Sequence, residues 1–251
     1  MQTSAVRVED VQAEQEQRDA LQEECAAAGG SPAERYQMAM DIYNNTFSNA
    51  KVETALAIFR ELGDYEDSSS YVQRCEQYLS YAKGRQVEFG EWNGRPITWT
   101  VLAEDGKRRL LLADRVVDYQ PFHTEKDATS WNACYLRRWL NGTFLDQAFT
   151  LRDRMKILLS WHRNNTDSRW CDQNGPDTRD KVFIFDLKEM DEYLPDQKDR
   201  AVDEWWWLRG HASETQALQA VYCDGSVYRD GIIKDSRRVG VRPAMWVRVS
   251  M

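Results

Sequence analysis

The side chains that most often carry chemistry are histidines, cysteines and carboxylates that converge, and this sequence keeps them apart. His123, His162 and His211 are its three histidines, and no HExxH pair or other short spacing joins them into a zinc or hydrolytic centre. They read as scattered surface imidazoles. The five cysteines, Cys25, Cys75, Cys134, Cys171 and Cys223, contain no CxxC pair, so each reads as a small buried hydrophobe rather than a metal ligand or redox dithiol. Glycines fall at turns and caps rather than in a phosphate-cradling loop, which argues against ATP or dinucleotide chemistry. Neither an EPN nor a WND triplet offers calcium ligands of the lectin type. The expectation is therefore no catalytic residue, no cofactor and no metal.

What remains is recognition chemistry. Trp205, Trp206 and Trp207 are consecutive, so on a strand Trp206 faces one way, into the core with Leu208, while Trp205 and Trp207 face the other. Residues 210–238 follow as two tight turns decorated by His211, Glu214, Tyr222, Tyr228, Arg229, Asp230, Lys234 and Arg237. Loops on a rigid sheet commonly bind, and tyrosine with arginine is a frequent hot-spot pairing. This stretch, with Trp205 and Trp207, is the candidate ligand-binding face. Arg209 and Arg242 are given structural duty, their guanidinium forks holding carboxylates or backbone carbonyls, and Trp206 and Pro243 are structural as well. Residues 161–180 form a long polar stretch without periodicity, a pattern that functional loops share with disordered segments.

Bulk properties narrow the partners. The chain has 251 residues, 33 Lys and Arg against 41 Asp and Glu, and a formal net charge of -8, which argues against nucleic-acid binding through bulk charge. No run of apolar residues approaches a membrane span and the first ten residues lack a signal-peptide progression, so the expected compartment is the cytoplasm, or the cell surface if an upstream segment is missing. A protein or glycan ligand is the expected partner.

Three segments position these residues. Residues 1–30, rich in Glu, Gln and Ala, carry only a thin apolar stripe and read as a helical or flexible tail. Residues 31–84 read as a helical hairpin and a third helix: Ser31 as cap, Pro32 at the first helical position, then Tyr36, Met40, Tyr43 and Phe47, then Val52 to Leu62 ended by Gly63, and a third helix capped by Asp67 or Ser68. Such a pair is offered as spacer, dock or contact with a second copy. Residues 85–251 switch to alternation, with Asn93-Gly94, Asp105-Gly106, Asp224-Gly225 and Asp230-Gly231 as hairpin turns. Between the strand groups lie a helix capped by Thr129 or Ser130 and stopped by Gly142, a helix starting at Thr150 with Asp153 three residues on, and a buried strand at 182–185. The last strand, residues 239–249, contains Pro243 and so marks an edge or a bulge. The fold class is α+β.

The runs GRQVEFGEWNGRPITWTVLAEDGKRRLLLADRVVDYQPFH, WNACYLRRWLNGTFLDQAF, DKVFIFDLKEMDEYL, WWLRG and VGVRPAMWV, in this order, resemble a bacterial domain-of-unknown-function family numbered six-two-seven-three, over about residues 85–250. Relatives tend to read WWLRSPG where Gly210 and His211 follow Arg209 here, so an altered turn after that strand is expected. The pattern is also similar to C-type-lectin-like folds of the formylglycine-generating-enzyme branch, which holds both oxidases and binding proteins diversified by retroelements. It implies an antiparallel-sheet scaffold and leaves two activities open: a non-catalytic binding module, or an oxidase needing two cysteines close in space. Residues 39–79 resemble one tetratricopeptide-type hairpin, with Ala55 and Ala57 at the helix crossing and Phe59 beneath, and an adaptor acting through that hairpin is a third reading.

Overall fold

The computed structural model describes residues 30–125, 130–164, 175–211 and 217–249, with Arg229 and Asp230 described through their backbone alone. The tail at 1–29, Thr129, Cys171 and Glu214 lie outside the described residues. The chain divides into two compact units, one ending at Ala82 and the other running from Lys83 to Arg248. No helix among the described residues is long and apolar enough to cross a membrane.

In the first unit, α1 (Pro32–Asn44) starts on a reciprocal cap: the Ser31 hydroxyl accepts from the Glu34 amide, and the Glu34 carboxylate accepts from the Ser31 amide at 2.7 Å. Helices α2 (Asn49–Leu62) and α3 (Ser68–Leu79) follow, each packed on the one before. Their shared core is aromatic. Phe59 stacks on Tyr71 with centroids 5.0 Å apart, and Tyr43 meets the same ring edge-on at 5.1 Å. Ala55 is buried as a crossing residue should be, whereas Ala57 is exposed, because it lies two residues on and points to the far side of α2. Phe47 is likewise exposed, since it follows the end of α1 and leaves the helical stripe. Helix α3 begins at Ser68 with Asp67 in the cap position, and Asp67 makes no side-chain capping bond.

The second unit is α+β. Strands β1 (Gln86–Trp92), β2 (Arg95–Asp105), β3 (Arg108–Ala113) and β11 (Ala244–Arg248) form an antiparallel sheet in that order. A second sheet has the order β4 (Asp118–Tyr119), β10 (Gly240–Val241), β7 (Trp206–His211), β8 (Leu218–Val221), β9 (Val227–Ile232). It is antiparallel except where β10 runs parallel to β7, a pairing that the meander pattern did not foretell. Strands β5 (Ser160–His162) and β6 (Thr178–Asp180) make a small ribbon of their own. In the chain between β4 and β7 lie α4 (Tyr135–Trp139), a π-helical turn (Leu140–Phe144), α5 (Leu145–Ala148), α6 (Leu151–Lys156), α7 (Leu187–Tyr193) and α8 (Gln197–Arg200).

Turn chemistry was the most informative local signal, with instructive exceptions. Asn93 and Gly94 both have positive φ, 51° and 75°, so they form the two-residue turn that suits the twist of β1 and β2. The β2–β3 turn sits one residue later than expected, on Gly106 and Lys107, because Asp105 pairs with Arg108. Asp230-Gly231 is not a turn. It lies inside β9, where Gly231 (φ 74°) takes up a register shift opposite β8, since positive φ serves a bulge as well as a hairpin. Gly142 does not stop its helix either: the chain passes through it as the π turn, anchored by the Asn141 amide, which donates to the carbonyls of Arg137 and Val182 and accepts from the amides of Lys181 and Val182. The cap of α4 is the Cys134 sulfur, accepting from the Arg137 amide at 3.3 Å, in place of Ser130.

Residues 182–185 are buried as expected but make only an isolated bridge, Phe183 to Ala244, because their other backbone groups meet side chains and the β7 edge. The expected strand at 239–249 is two strands in different sheets. Arg242 and Pro243 separate them, and Pro243 has no amide to continue either ladder.

Gly90 is a position of close approach. It has φ 75° at the β1 bulge, and a Cβ there would lie 2.5 Å from the Phe149 ring and 2.7 Å from the Ala148 carbonyl oxygen. Gly90→Ala is expected to cost about 2–4 kcal/mol, from left-handed backbone strain plus overpacking. A urea titration checks this, and a change under about 0.5 kcal/mol, the range of an ordinary surface site, would show that β1 does not hold this geometry.

Candidate functional site

Register explains which of the expected face residues meet. Trp206 pairs with Val221, which sets Trp205 beside Tyr222, and Ala220 pairs with Tyr228 across the β8–β9 hairpin. By strand alternation these three rings share one side at one end of the sheet. Trp205 lies 4.3 Å from Tyr222 and 5.6 Å from Tyr228, and the two tyrosines are 5.1 Å apart and nearly perpendicular. All three are half-buried. Beside them Cys223 and Asp224 occupy an exposed turn closed by Gly225 (φ 83°), with the Asp224 carboxylate accepting from the Ser226 amide and hydroxyl. Those bonds hold the Asp224 carboxyl below its ordinary range.

The other expected ligand residues are dispersed. Trp207 is fully buried, and its indole donates to the Gln120 carbonyl at 3.0 Å. Alternation alone puts it with Trp205 on the binding side, but β7 is the central strand of its sheet and every residue of it is buried, so both faces are covered. His211 is buried on the same strand, which continues through Gly210 where an altered turn was expected. Lys234 is half-buried and its carbonyl accepts from the His123 amide, while Arg237 is exposed. Arg229 and Asp230 stand on β9, their side chains outside the described residues.

The structural residues form the centre of the unit. Trp206 is buried, donates to the Arg200 carbonyl, and carries the Arg242 guanidinium 5.2 Å above its ring. Arg242 donates to the Ala113 carbonyl at 2.8 Å, and burial pushes its pKa down to about 10, only partly offset by Asp114. Arg209 is more deeply engaged. Its Nε donates to Asn164 at 2.9 Å, its Nη1 to the Ile184 carbonyl and to Glu189 at 2.7 and 2.8 Å, and its Nη2 to Asp186 at 3.2 Å. Asp186 and Glu189 are themselves the reciprocal cap of α7, so the sequence Asp-Leu-Lys-Glu both starts a helix and seats a guanidinium.

The family model described as Domain of unknown function (DUF6273) matches residues 106–249. The chain belongs to this family. No curated protein and no solved structure matches it. The DUF6273 match begins in the β2–β3 turn, so β1 and β2 precede it while completing the same sheet.

Within the DUF6273 span, Glu189 leads on to His162 Nδ1 at 3.3 Å, and His162 Nε2 lies 2.8 Å from the Ser160 hydroxyl. Serine, imidazole and acid in that order are the parts of a nucleophile relay. Here the imidazole is 3% exposed and lies against Phe183 at 3.9 Å between ring centres, and the serine hydroxyl donates to the Asp180 carbonyl at 3.0 Å. The row braces β5 against α7. All three histidines are buried, contrary to the surface expectation, because each lies in a segment that the packed core covers. Cys134 is buried and its thiol pushed up to about 12 by burial, while Cys223 is exposed rather than packed inside, because its strand ends at Val221; both are free. Sequence periodicity missed Arg179, Leu159 and Trp161, all exposed around β5 and β6, although Leu159 and Trp161 alternate with Ser160 and His162.

For Glu189, burial works to raise the pKa and is outweighed by Arg209 and by the bonds from His162 and Arg209, which hold it down to about 2 against an ordinary 4.5. A carboxylate depressed on folding contributes stability that is fully present above about 4.5 and lost as pH falls toward 2. Glu189→Gln is expected to lower stability by about 3 kcal/mol at neutral pH, leaving Arg209 short of a charged partner. Urea titrations from pH 7 to 2 should show the two proteins converging in acid. Parallel curves would mean that the carboxylate is not held by the guanidinium.

Proposed function

We propose that the DUF6273 unit is a non-catalytic binding module on a C-type-lectin-like scaffold, with a protein or glycan as ligand. The observation that carries this reading is the Trp205, Tyr222 and Tyr228 cluster, three half-exposed rings delivered by different strands to one end of a sheet. Stiff aromatic surface with polar edges orders few rotamers on binding and suits both protein hot spots and sugar rings. Cys223 and Asp224 beside it are exposed side chains whose type can vary on the scaffold, as a diversified binding protein requires, while Gly225, buried against the Gln197 backbone, fixes the turn. Arg237 and the β9 positions Arg229 and Asp230 are the polar surround in this reading. The helical unit resembles a single tetratricopeptide-type hairpin, and its proposed duty is that of a spacer or dock.

The test uses the intact chain beside a Tyr222→Ala/Tyr228→Ala variant, with both proteins checked by thermal melt. Each is applied to a glycan array and to pull-downs from bacterial envelope extract. A ligand of the parent should bind the variant at least about tenfold more weakly, the scale of a hot-spot truncation. A ligand held equally by both proteins would remove this face from the reading.

A further inference from the structure

The ribbon of β5 and β6 carries a second surface, unrelated to the aromatic cluster. Trp161 and Arg179 are directly opposed across the ribbon, and the guanidinium lies over the indole 5.1 Å from its centre. A second pair repeats this on β3 and β11, where Arg108 is the diagonal neighbour of Trp246 and lies 5.4 Å from its ring. Both pairs border one cavity of about 450 Å3 together with Leu159 and Ser160. An adjoining cavity of about 450 Å3 shares Leu159 and Arg179 and is lined further by Arg137, Arg138 and Lys181. Five cations thus face this groove against one lining carboxylate, Asp180, in a chain of net charge -8.

The cations are not equally available. Arg137 is committed to Asp180 at 2.6 Å, Arg108 is paired with Asp105, and Lys181 donates to the Arg154 carbonyl at 2.8 Å. Arg138 donates through Nη1 to the Ala133 carbonyl at 3.1 Å, and its Nη2 has Glu125 as a carboxylate neighbour at 3.9 Å. Arg179 has no carboxylate partner among the described residues, and it is the cation shared by both cavities. A guanidinium whose face rests on an indole still presents its edge, which is the geometry of bidentate carboxylate recognition. Between the cations lie apolar contacts left open to solvent, Leu159 at 60% and Trp161 at 57% exposure.

We propose that this groove binds an acidic peptide, with one carboxylate on Arg179, a second near Arg138, and apolar side chains on Leu159, which lines both cavities, and on Trp161 in the first. A nucleic acid fits less well. Its dense phosphate charge would meet the repulsion of an acidic chain over its whole length, whereas a peptide with a few carboxylates and apolar side chains uses both features of the groove.

Fluorescence anisotropy of the full chain with a fluorescein-labelled peptide of alternating glutamate and leucine tests the assignment, beside the glutamine-for-glutamate peptide and a labelled single-stranded oligodeoxynucleotide. The glutamate peptide should bind, weaken as salt rises, and lose at least about tenfold in affinity with Arg179→Glu, a charge-assisted contact being worth about a decade or more. Arg138→Glu should cost less, and Tyr222→Ala/Tyr228→Ala should change nothing, which separates this site from the aromatic one. Arg179 is exposed on the ribbon, so the variant should keep the parent melting temperature. The proposal is overturned if the glutamate peptide fails to bind, if the two peptides bind alike, or if folded Arg179→Glu binds as the parent does. Binding of the oligonucleotide at least as tight as that of the peptide would assign the groove to nucleic acid instead.

Discussion

A guanidinium sealed from water is tolerable only when its N–H groups find acceptors, and Arg209 imposes that requirement on everything around it. Its acceptors come from two separate parts of the chain: Asn164 beyond β5, and the run from Ile184 to Glu189, which supplies a carbonyl and the two carboxylates that cap α7. Satisfying one side chain therefore fixes the relative positions of β7, α7 and the ribbon. Removing the arginine in favour of an apolar residue would strand two carboxylates at once, so the network is all-or-none rather than a sum of pairs.

The same logic operates at the junction of the two sheets. The chain leaves the five-stranded sheet at Val241 and enters the four-stranded one at Ala244, and Arg242 spans the corner with bonds to the carbonyls of Ala113 and Arg200. Pro243 enforces the break in the ladder while its carbonyl accepts from the Ala113 amide. Two buried arginines thus hold backbone where regular pairing stops. One is offset by carboxylates. The other relies on carbonyls and on the face of Trp206, and its depressed pKa records the difference.

Features with a local cause were legible in the sequence. Ser31 with Pro32, Asn93 with Gly94 and Thr150 with Asp153 specify caps and a turn through neighbours three or fewer residues away, and the structure has them where the spacing puts them. Features decided by tertiary cover were not. Alternation places Trp205 and Trp207 on one side of a strand, but only sheet order shows that Trp207 is enclosed while Trp205, one residue before the strand, stays half open. Glycine with positive φ is equally at home in a turn or a bulge, so Gly231 could not be told from Gly94 without the partner strand. The candidate face was legible as a stretch, and its three meeting rings were named in it. The pairing of Trp161 with Arg179 was not, since it depends on a register between segments 18 residues apart.

The strand β11 closes the four-stranded sheet by pairing with β3, and Arg242 reaches back to Ala113, a separation of 129 residues. During synthesis from the amino end, β1, β2 and β3 can meander together early, but they expose the edge of β3 until residues 244–248 arrive. The five-stranded sheet waits as well, because β4 and β7 are joined only through β10. Closure of the unit is therefore a late, non-local event, slow by its loop entropy and vulnerable to intermolecular strand pairing while it is pending. Nascent chains of this architecture would be guarded in the cell by whatever covers the edge of β3 before its own partner strand is made.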